Sequence, residues 1–408
     1  MRLPEHGVAR DELFETIRER KSADADWEHK RTFSLIYPAS AEVDSVLYEA
    51  NNLYLYENAL NPMRFPSLAT METEVVSMTA GLLHGPGGSG GTMTSGGTES
   101  IIMATKVARE RSREERGISG GHVLVPRSAH PAFAKAAHYL GLGIRHVPIG
   151  ADFRADADAA ADLVADDTVM MAGSAPGYPH GVVDPIPELA AIAAARGIPF
   201  HTDACVGGFM LPFLERRGGV DVAPFDFRVP GVTSMSADVH KYGYCTKGAS
   251  VVLHRDHEML RHQVFLYSDW PGGLYGSPAI AGARPASPIC AAWAVMNYLG
   301  EDGYVRLAGQ AYDTARRIVD HVNAHPDLHV WGEPAATVFA FGSETVDVMA
   351  VNDVLDDRGW NFDRQLDPAA LHAMISPGHA EIVDELLADL DLAVANHGES
   401  RGVEARYS

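Results

Sequence analysis

The chain is poor in cysteine. Cys205, Cys245 and Cys290 are the only three in 408 residues. Their odd number argues against a disulfide framework, and their spacing matches no metal-ligand pattern, so no metal is expected. A reducing compartment, the cytoplasm, is the expected location. Long apolar runs are also missing. Nowhere do about 18 apolar residues follow one another, which argues against a membrane span or anchor. Arg2, Glu5, Arg10 and Asp11 precede any apolar stretch, unlike a secretory leader. Positive charge is scarce: 33 Lys and Arg stand against 54 Asp and Glu, a net charge of −21. Such a field repels phosphate backbones and argues against nucleic acid as a partner. A small anionic ligand would need a local cationic pocket. There is no internal repeat.

What is present suits a globular protein: 46% hydrophobic and 21% charged residues. At roughly 100–200 residues per domain, two or three units are expected. Residues 10–31 are charged and start as a helix, with Leu13 and Ile17 one turn apart. Apolar strand-like stretches at 122–126, 168–174, 198–204, 232–237 and 248–255 then alternate with helical ones. This alternation predicts an α/β fold with a mainly parallel sheet, covered on both faces. After Pro288 a long helical stretch leads to short strands near 328–350 and a final helix near 379–397. The division expected is an N-terminal helical segment (1–52), a large α/β domain (53–290) and a smaller α+β domain (291–408).

The chemistry-bearing residues follow successive strands, where ligands of such sheets bind. In "SADVHKYGYCTKG" (236–248), Lys241 stands among aromatics and glycines. A crowded lysine is expected to have a lowered pKa and to attack carbonyls. His-Lys after a strand is a recurrent arrangement for a lysine holding pyridoxal phosphate as a Schiff base. That cofactor needs a carboxylate at its ring nitrogen. Asp203 in "FHTDACVGG" is placed for this, or to cap a helix. Its phosphate needs backbone N–H groups at a helix start. "TSGGTES" (94–100) offers glycines, then the Thr98 and Ser100 hydroxyls. A ring should cover the pyridine, and His130 in "SAHPAF" follows a strand, though a capping histidine would also fit there.

The stretches "TSGGTESIIMA", "SAHPAFAKAAHYLG", "YPHGVVDPIPELA", "HTDACVGGF" and "FDFRVPGVTSMSADVHKYGYCTKG" together resemble the sphingosine-1-phosphate lyases. These are fold-type I pyridoxal-phosphate enzymes related to group II amino-acid decarboxylases. The resemblance runs from about Phe33 to His372. It implies pyridoxal 5'-phosphate on Lys241, with Asp203 as pyridinium partner and His130 on the ring. Gly97, Thr98 and His240 would surround the cofactor phosphate. Tyr37 and Lys247 match positions the family uses near a substrate phosphate, and Tyr178 and His180 are further active-site candidates. The resemblance also implies a homodimer, with "YGSPAIAGARP" covering the neighbouring cofactor. Two departures stand out. The family's histidine-bearing loop is the shorter "NPMRFP" (61–66), where Arg64 becomes the candidate for an anionic substrate group. Ala283 replaces a serine that reaches the neighbouring phosphate, so the Arg284 guanidinium or backbone near Gly282 would have to help.

The reaction implied is retro-aldol carbon–carbon cleavage of a 3-hydroxy-2-amino substrate. Amino-acid decarboxylation is the alternative, and a catalytically silent binding protein is a third. Amine or amino-acid substrates fit either enzyme.

Overall fold

A computed structural model describes residues 2–402. Its centre is a seven-stranded sheet: β1 (Gly90–Thr94), β2 (His122–Pro126), β3 (Gly143–Val147), β4 (Thr168–Ser174), β5 (Phe200–Asp203), β6 (Val232–Ala237) and β7 (Ser250–His254). The strands lie in the order β1-β7-β6-β5-β4-β2-β3. β7 runs antiparallel to both neighbours, and the remaining pairs are parallel. The apolar runs of β2 and β4 are buried at every position because helices cover both faces. Successive residues of β2 serve opposite faces. Val123 and Val125 pack with Ile101, Phe133 and Ala136, whereas Leu124 joins Leu189, Phe200 and Met235.

The helices before and between these strands are α1 (Arg10–Lys21), α2 (Ala41–Leu53), α3 (Pro66–Leu82), α4 (Gly97–Arg116), α5 (Ala132–Leu140), α6 (Ala157–Leu163), α7 (Ile186–Ala195) and α8 (Leu211–Arg217). α1 forms where charge and periodicity predict it, yet buries no residue. A hairpin of β8 (Phe265–Tyr267) and β9 (Tyr275–Ser277) follows the large sheet. Then α9 (Ser287–Ala324) runs from one core to the next. It kinks at Gly300 (φ 57°, ψ −176°), a conformation that glycine tolerates. Val295 before the kink belongs to the large core, and Ala315 and Ile318 after it belong to a second one.

That second core lies under a four-stranded antiparallel sheet of β10 (His329–Val330), β11 (Val338–Gly342), β12 (Asp363–Leu366) and β13 (Ala369–Met374), in the order β10-β11-β13-β12. Buried residues of α10 (Val348–Asp357) and α11 (Val383–Asn396) complete it. The N-terminal segment is stitched to this sheet. Phe33 stacks on Phe362 with ring centroids 4.2 Å apart, its N–H donates to Asn361 O, and its carbonyl accepts from Met374 N.

Three strands occupy the bounds expected, 122–126, 168–174 and 232–237, and two others are slightly shorter. The reading of short strands through 350 is corrected at its end. Residues 348–357 form α10, started by the Asp347 side chain accepting from Met349 and Ala350 N–H. The β12–β13 hairpin at 363–374 was not foreseen, because charge and Pro368 interrupt its apolar pattern. Among the described residues no helix is long and apolar enough to cross a membrane.

Candidate active site

A cavity of about 590 Å³ opens at the carboxyl ends of the large sheet. Ser174 ends β4, Asp203 ends β5, and Asp238 follows β6 directly; all three line it. So do Gly97, Thr98, His130, His240, Lys241, Tyr37, Tyr178 and Lys247. Residues far apart in the chain are thus brought to one place.

The glycine loop forms the start of α4. No side chain caps the helix at Gly96, so its first N–H groups are open to an anion. A Cβ on Gly97 would lie 2.6 Å from Cys205 Sγ and 2.9 Å from Asp238 Oδ2, so only glycine fits. Ser95 is tied by its N–H and hydroxyl to Glu99 Oε2, at 2.7 and 2.6 Å. The Ser100 hydroxyl is corrected as a phosphate contact. It is fully buried and shared with Thr94 Oγ1 (2.7 Å) and Ser250 Oγ (2.8 Å), beneath the loop.

Lys241 Nζ lies 3.1 Å from Asp238 Oδ2. The expectation of a lowered lysine pKa is reversed here. Burial pushes it down, but the Asp238 carboxylate, with Tyr37, Cys205 and Asp203, more than compensates and holds it well above its ordinary value. Asp238 is the residue the sequence reading passed over. It is 2% exposed, and burial would raise its pKa; Lys241 and then His240 bring it below the ordinary value instead. Its position three residues before the lysine was the available signal. His240 accepts the Ala249 N–H at Nδ1 (3.1 Å). This leaves the proton of the neutral ring on Nε2, 3.6 Å from Asp238 Oδ2. Burial pushes His240 down to about 4.

Asp203 Oδ1 accepts from Cys205 N–H and from the Ser236 hydroxyl, both at 3.0 Å. His130 Nδ1 accepts the Ala132 N–H at 3.1 Å, at the start of α5, and the residue lines the cavity. Burial lowers its pKa, so the ring is neutral at physiological pH. Lys247 Nζ lies 4.7 Å from the Tyr37 ring centroid, and burial, then Lys241, pushes its pKa to about 8. Tyr178 donates its hydroxyl to Asp363 Oδ2 at 2.5 Å and stacks on His372 at 4.0 Å. The small sheet thereby reaches the cavity wall.

Two candidates lie elsewhere. His180 lines a separate cavity of about 370 Å³, stacked on Phe153 at 4.2 Å. Arg64 is exposed on the loop before α3 and does not line the main cavity. Of the acids that follow it in α3, Glu72 is engaged by Arg284 and Glu74 by Trp293 Nε1. Arg284 is likewise committed, with its guanidinium on both Glu72 oxygens and on Met93 O.

The model of the pyridoxal-dependent decarboxylase conserved domain matches residues 2–343. The chain belongs to this family. Within it, a sphingosine-1-phosphate lyase from Arabidopsis thaliana is 41% identical over 96% of this chain and 74% of the relative. The Rattus norvegicus sphingosine-1-phosphate lyase 1 is 40% identical over 92% and 66%. A solved sphingosine-1-phosphate lyase from Burkholderia pseudomallei superimposes with a TM-score of 0.94 at 41% identity, covering 97% of this chain and 93% of that one. A Lactobacillus brevis glutamate decarboxylase shares the fold, with a TM-score of 0.86 at 20% identity over 99% and 96%. The pyridoxal-dependent family and the lyase relatives make pyridoxal 5'-phosphate the cofactor and the protein a lyase. The residues present fit that group. The side-chain-free cradle at Gly97, the open start of α4, a carboxylate at one wall and a lysine at another are the parts it requires.

Proposed function

We propose that this protein cleaves the Cα–Cβ bond of a phosphorylated 2-amino-3-hydroxy substrate, a sphingoid-base phosphate, releasing an aldehyde and an aminoethyl phosphate. The observation that carries this reading is the cationic wall of the cavity. Lys247, held against Tyr37, places positive charge beside Lys241 in a chain of net charge −21. Relatives named as sphingosine-1-phosphate lyases, about 40% identical across most of the chain, support it.

Bound pyridoxal phosphate supplies an electron sink for the pair left at Cα when a bond to it breaks. The chain supplies the rest. Lys241 is the amine that would carry the cofactor, and Asp238 Oδ2 lies 3.1 Å from its nitrogen. Asp203 would face the ring nitrogen, which has to stay protonated. His130 would pack on the ring, while Gly97, Thr98 and His240 would line the phosphate end. Lys247 and Tyr37 hold the substrate phosphate, which orients the bond to be cleaved. Tyr178, fixed by Asp363 and His372, lines the same cavity.

The protein is further proposed to act as a homodimer. Phe265, Leu266, Tyr267, Trp270 and Leu274 expose apolar surface around one hairpin, and a second copy would cover it. Arg64 and His180 are assigned supporting roles toward substrate, Arg64 from the second copy and His180 from its separate cavity. A cytoplasmic location is consistent with three free cysteines. The deciding experiment incubates the loaded enzyme with phosphorylated 3-hydroxy amines and with amino acids. Release of a long-chain aldehyde supports the lyase. Carbon dioxide from an amino acid, with no aldehyde from any hydroxy amine, would replace it with a decarboxylase.

A further inference from the structure

Behind Asp203 lies a file of buried polar groups that the proposed chemistry leaves unused. Parallel pairing of β5 with β6 sets His201 opposite Ser234 and Asp203 opposite Ser236. Alternation along both strands keeps these four side chains on one face of the sheet. His201 and Ser236 are 0% exposed and Ser234 3%. The contacts run in series: Ser234 Oγ to His201 Nδ1 at 2.9 Å, His201 Nε2 to Ser236 Oγ at 3.2 Å, Ser236 Oγ to Asp203 Oδ1 at 3.0 Å.

Counting protons fixes the direction of this series. Each hydroxyl has one proton to give, and a neutral imidazole has one N–H. Burial pushes His201 down to about 4, against a smaller upward pull from Asp203, so the ring is neutral. An ionised carboxylate can only accept, so the Ser236 proton points at Asp203 Oδ1. Ser236 Oγ then accepts from His201 Nε2–H and from the Cys205 thiol at 3.2 Å. Cys205 stays a thiol because burial, with Asp203 and Asp238, raises its pKa. His201 Nδ1, now without a proton, accepts from the Ser234 hydroxyl. The opposite direction would turn a Ser236 lone pair toward the carboxylate.

We propose that Ser234, His201 and Ser236 form a one-way hydrogen-bond relay that keeps Asp203 ionised and aimed at the cofactor ring nitrogen. This rests on the reading of Asp203 as partner of that nitrogen. His201 and Ser236 are then positioning residues, acting only through the carboxylate. Polarised chains of this kind strengthen each member bond, and hydrogen bonds to the charged form hold a carboxylate ionised. Asp203 also faces Lys241, His130 and Cys205, and His201 faces His254. Of these, Cys205 donates its backbone N–H to Asp203 Oδ1 and its thiol to Ser236 Oγ, so the side-chain donor to Oδ1 in this file is Ser236.

Two measurements test the relay. The first is imidazole ¹⁵N NMR on the protein without cofactor, with the His201→Gln variant identifying the signal. The expected spectrum near neutral pH is the neutral Nε2–H tautomer. An Nδ1–H tautomer or an imidazolium would overturn the relay, whatever the role of Asp203. The second is ring ¹⁵N NMR on holoenzyme loaded with ¹⁵N-labelled pyridoxal phosphate. Ser236→Ala and His201→Leu should lower the ring nitrogen's proton affinity by about tenfold or more, the loss of one hydrogen bond to a charged group. His201→Gln, whose amide nitrogen can replace Nε2–H, should restore most of it. An unchanged ring nitrogen in Ser236→Ala, the smallest change in this buried site, overturns the relay even if His201→Leu does not fold. A ring nitrogen unaffected by Asp203→Asn would instead overturn the reading of Asp203 itself, leaving the tautomer result standing.

Discussion

Replacing Asp238 by asparagine keeps the shape of the site and removes the charge that pairs with Lys241. The two atoms are 3.1 Å apart, with side chains 17% and 2% exposed. At an effective dielectric of about 20, such a pair interacts by about 5 kcal/mol, equivalent to roughly 4 pKa units. Solvent near the lysine reduces this, so a fall of at least about two units in the Lys241 pKa is expected. The sign follows from the groups that remain: burial lowers the lysine pKa, and the largest opposing influence is gone. The assay is competitive acylation of the cofactor-free protein across a pH series, with the Lys241 peptide quantified by mass spectrometry. Labelling should begin at distinctly lower pH in the variant. Breaking a buried pair also leaves a charge uncompensated, so the melting temperature at neutral pH should fall. Identical Lys241 labelling profiles in variant and parent would refute the claim that Asp238 controls this amine.

Lys241→Ala should abolish the visible absorbance of lysine-bound cofactor and turnover together; a persisting band in the purified variant would move the attachment point elsewhere. Gly97→Ala should sharply weaken cofactor binding in a fluorescence titration, because its Cβ would lie 2.6 Å from Cys205 Sγ. Lys247→Ala should raise KM for a phosphorylated substrate by roughly tenfold or more at unchanged cofactor absorbance, the loss of a charge-assisted hydrogen bond; Arg64→Ala should act likewise only where dimers form, which light scattering checks. Acid should destabilise the cofactor-free protein. His201, His254 and His379 are pushed to about 4 and His372 to about 3, in each case first by burial, against an ordinary value of 6.5. The unfolded state therefore binds more protons between those limits, and stability is lost as pH falls from 6.5 toward 4; urea midpoints that stay flat over that window would contradict this.

Much of the cavity was legible because its residues follow strands whose apolar runs are unmistakable. "TVMMAGS" and "VTSMSA" announce themselves, and the residues just past a strand end of this sheet can only face the cavity or the solvent. What stayed hidden depends on partners distant in sequence. Asp363 meets Tyr178 across 185 positions, and no local pattern predicts that. Ser100 reads as a phosphate ligand by spacing, but the pitch of α4 turns it inward to Ser250. The direction of β7 is set by its short connection from β6 through the Lys241 turn, and residue identity alone does not reveal it. The resemblance grouped His180 with Tyr178, two positions before it, whereas the structure sends them to different cavities.

The stitching of Phe33 to β13 has a consequence for biosynthesis. Leu35 and Tyr37 form part of the cavity wall, and Met374 forms another. The first two leave the ribosome early, but the strand that fastens them is made more than three hundred residues later. At roughly 5–20 residues per second, tens of seconds separate the two events. The large sheet can gather its strands in that interval, yet the pocket stays open on one side until β13 arrives. Cofactor capture in its finished surroundings is therefore a late event in the life of each chain.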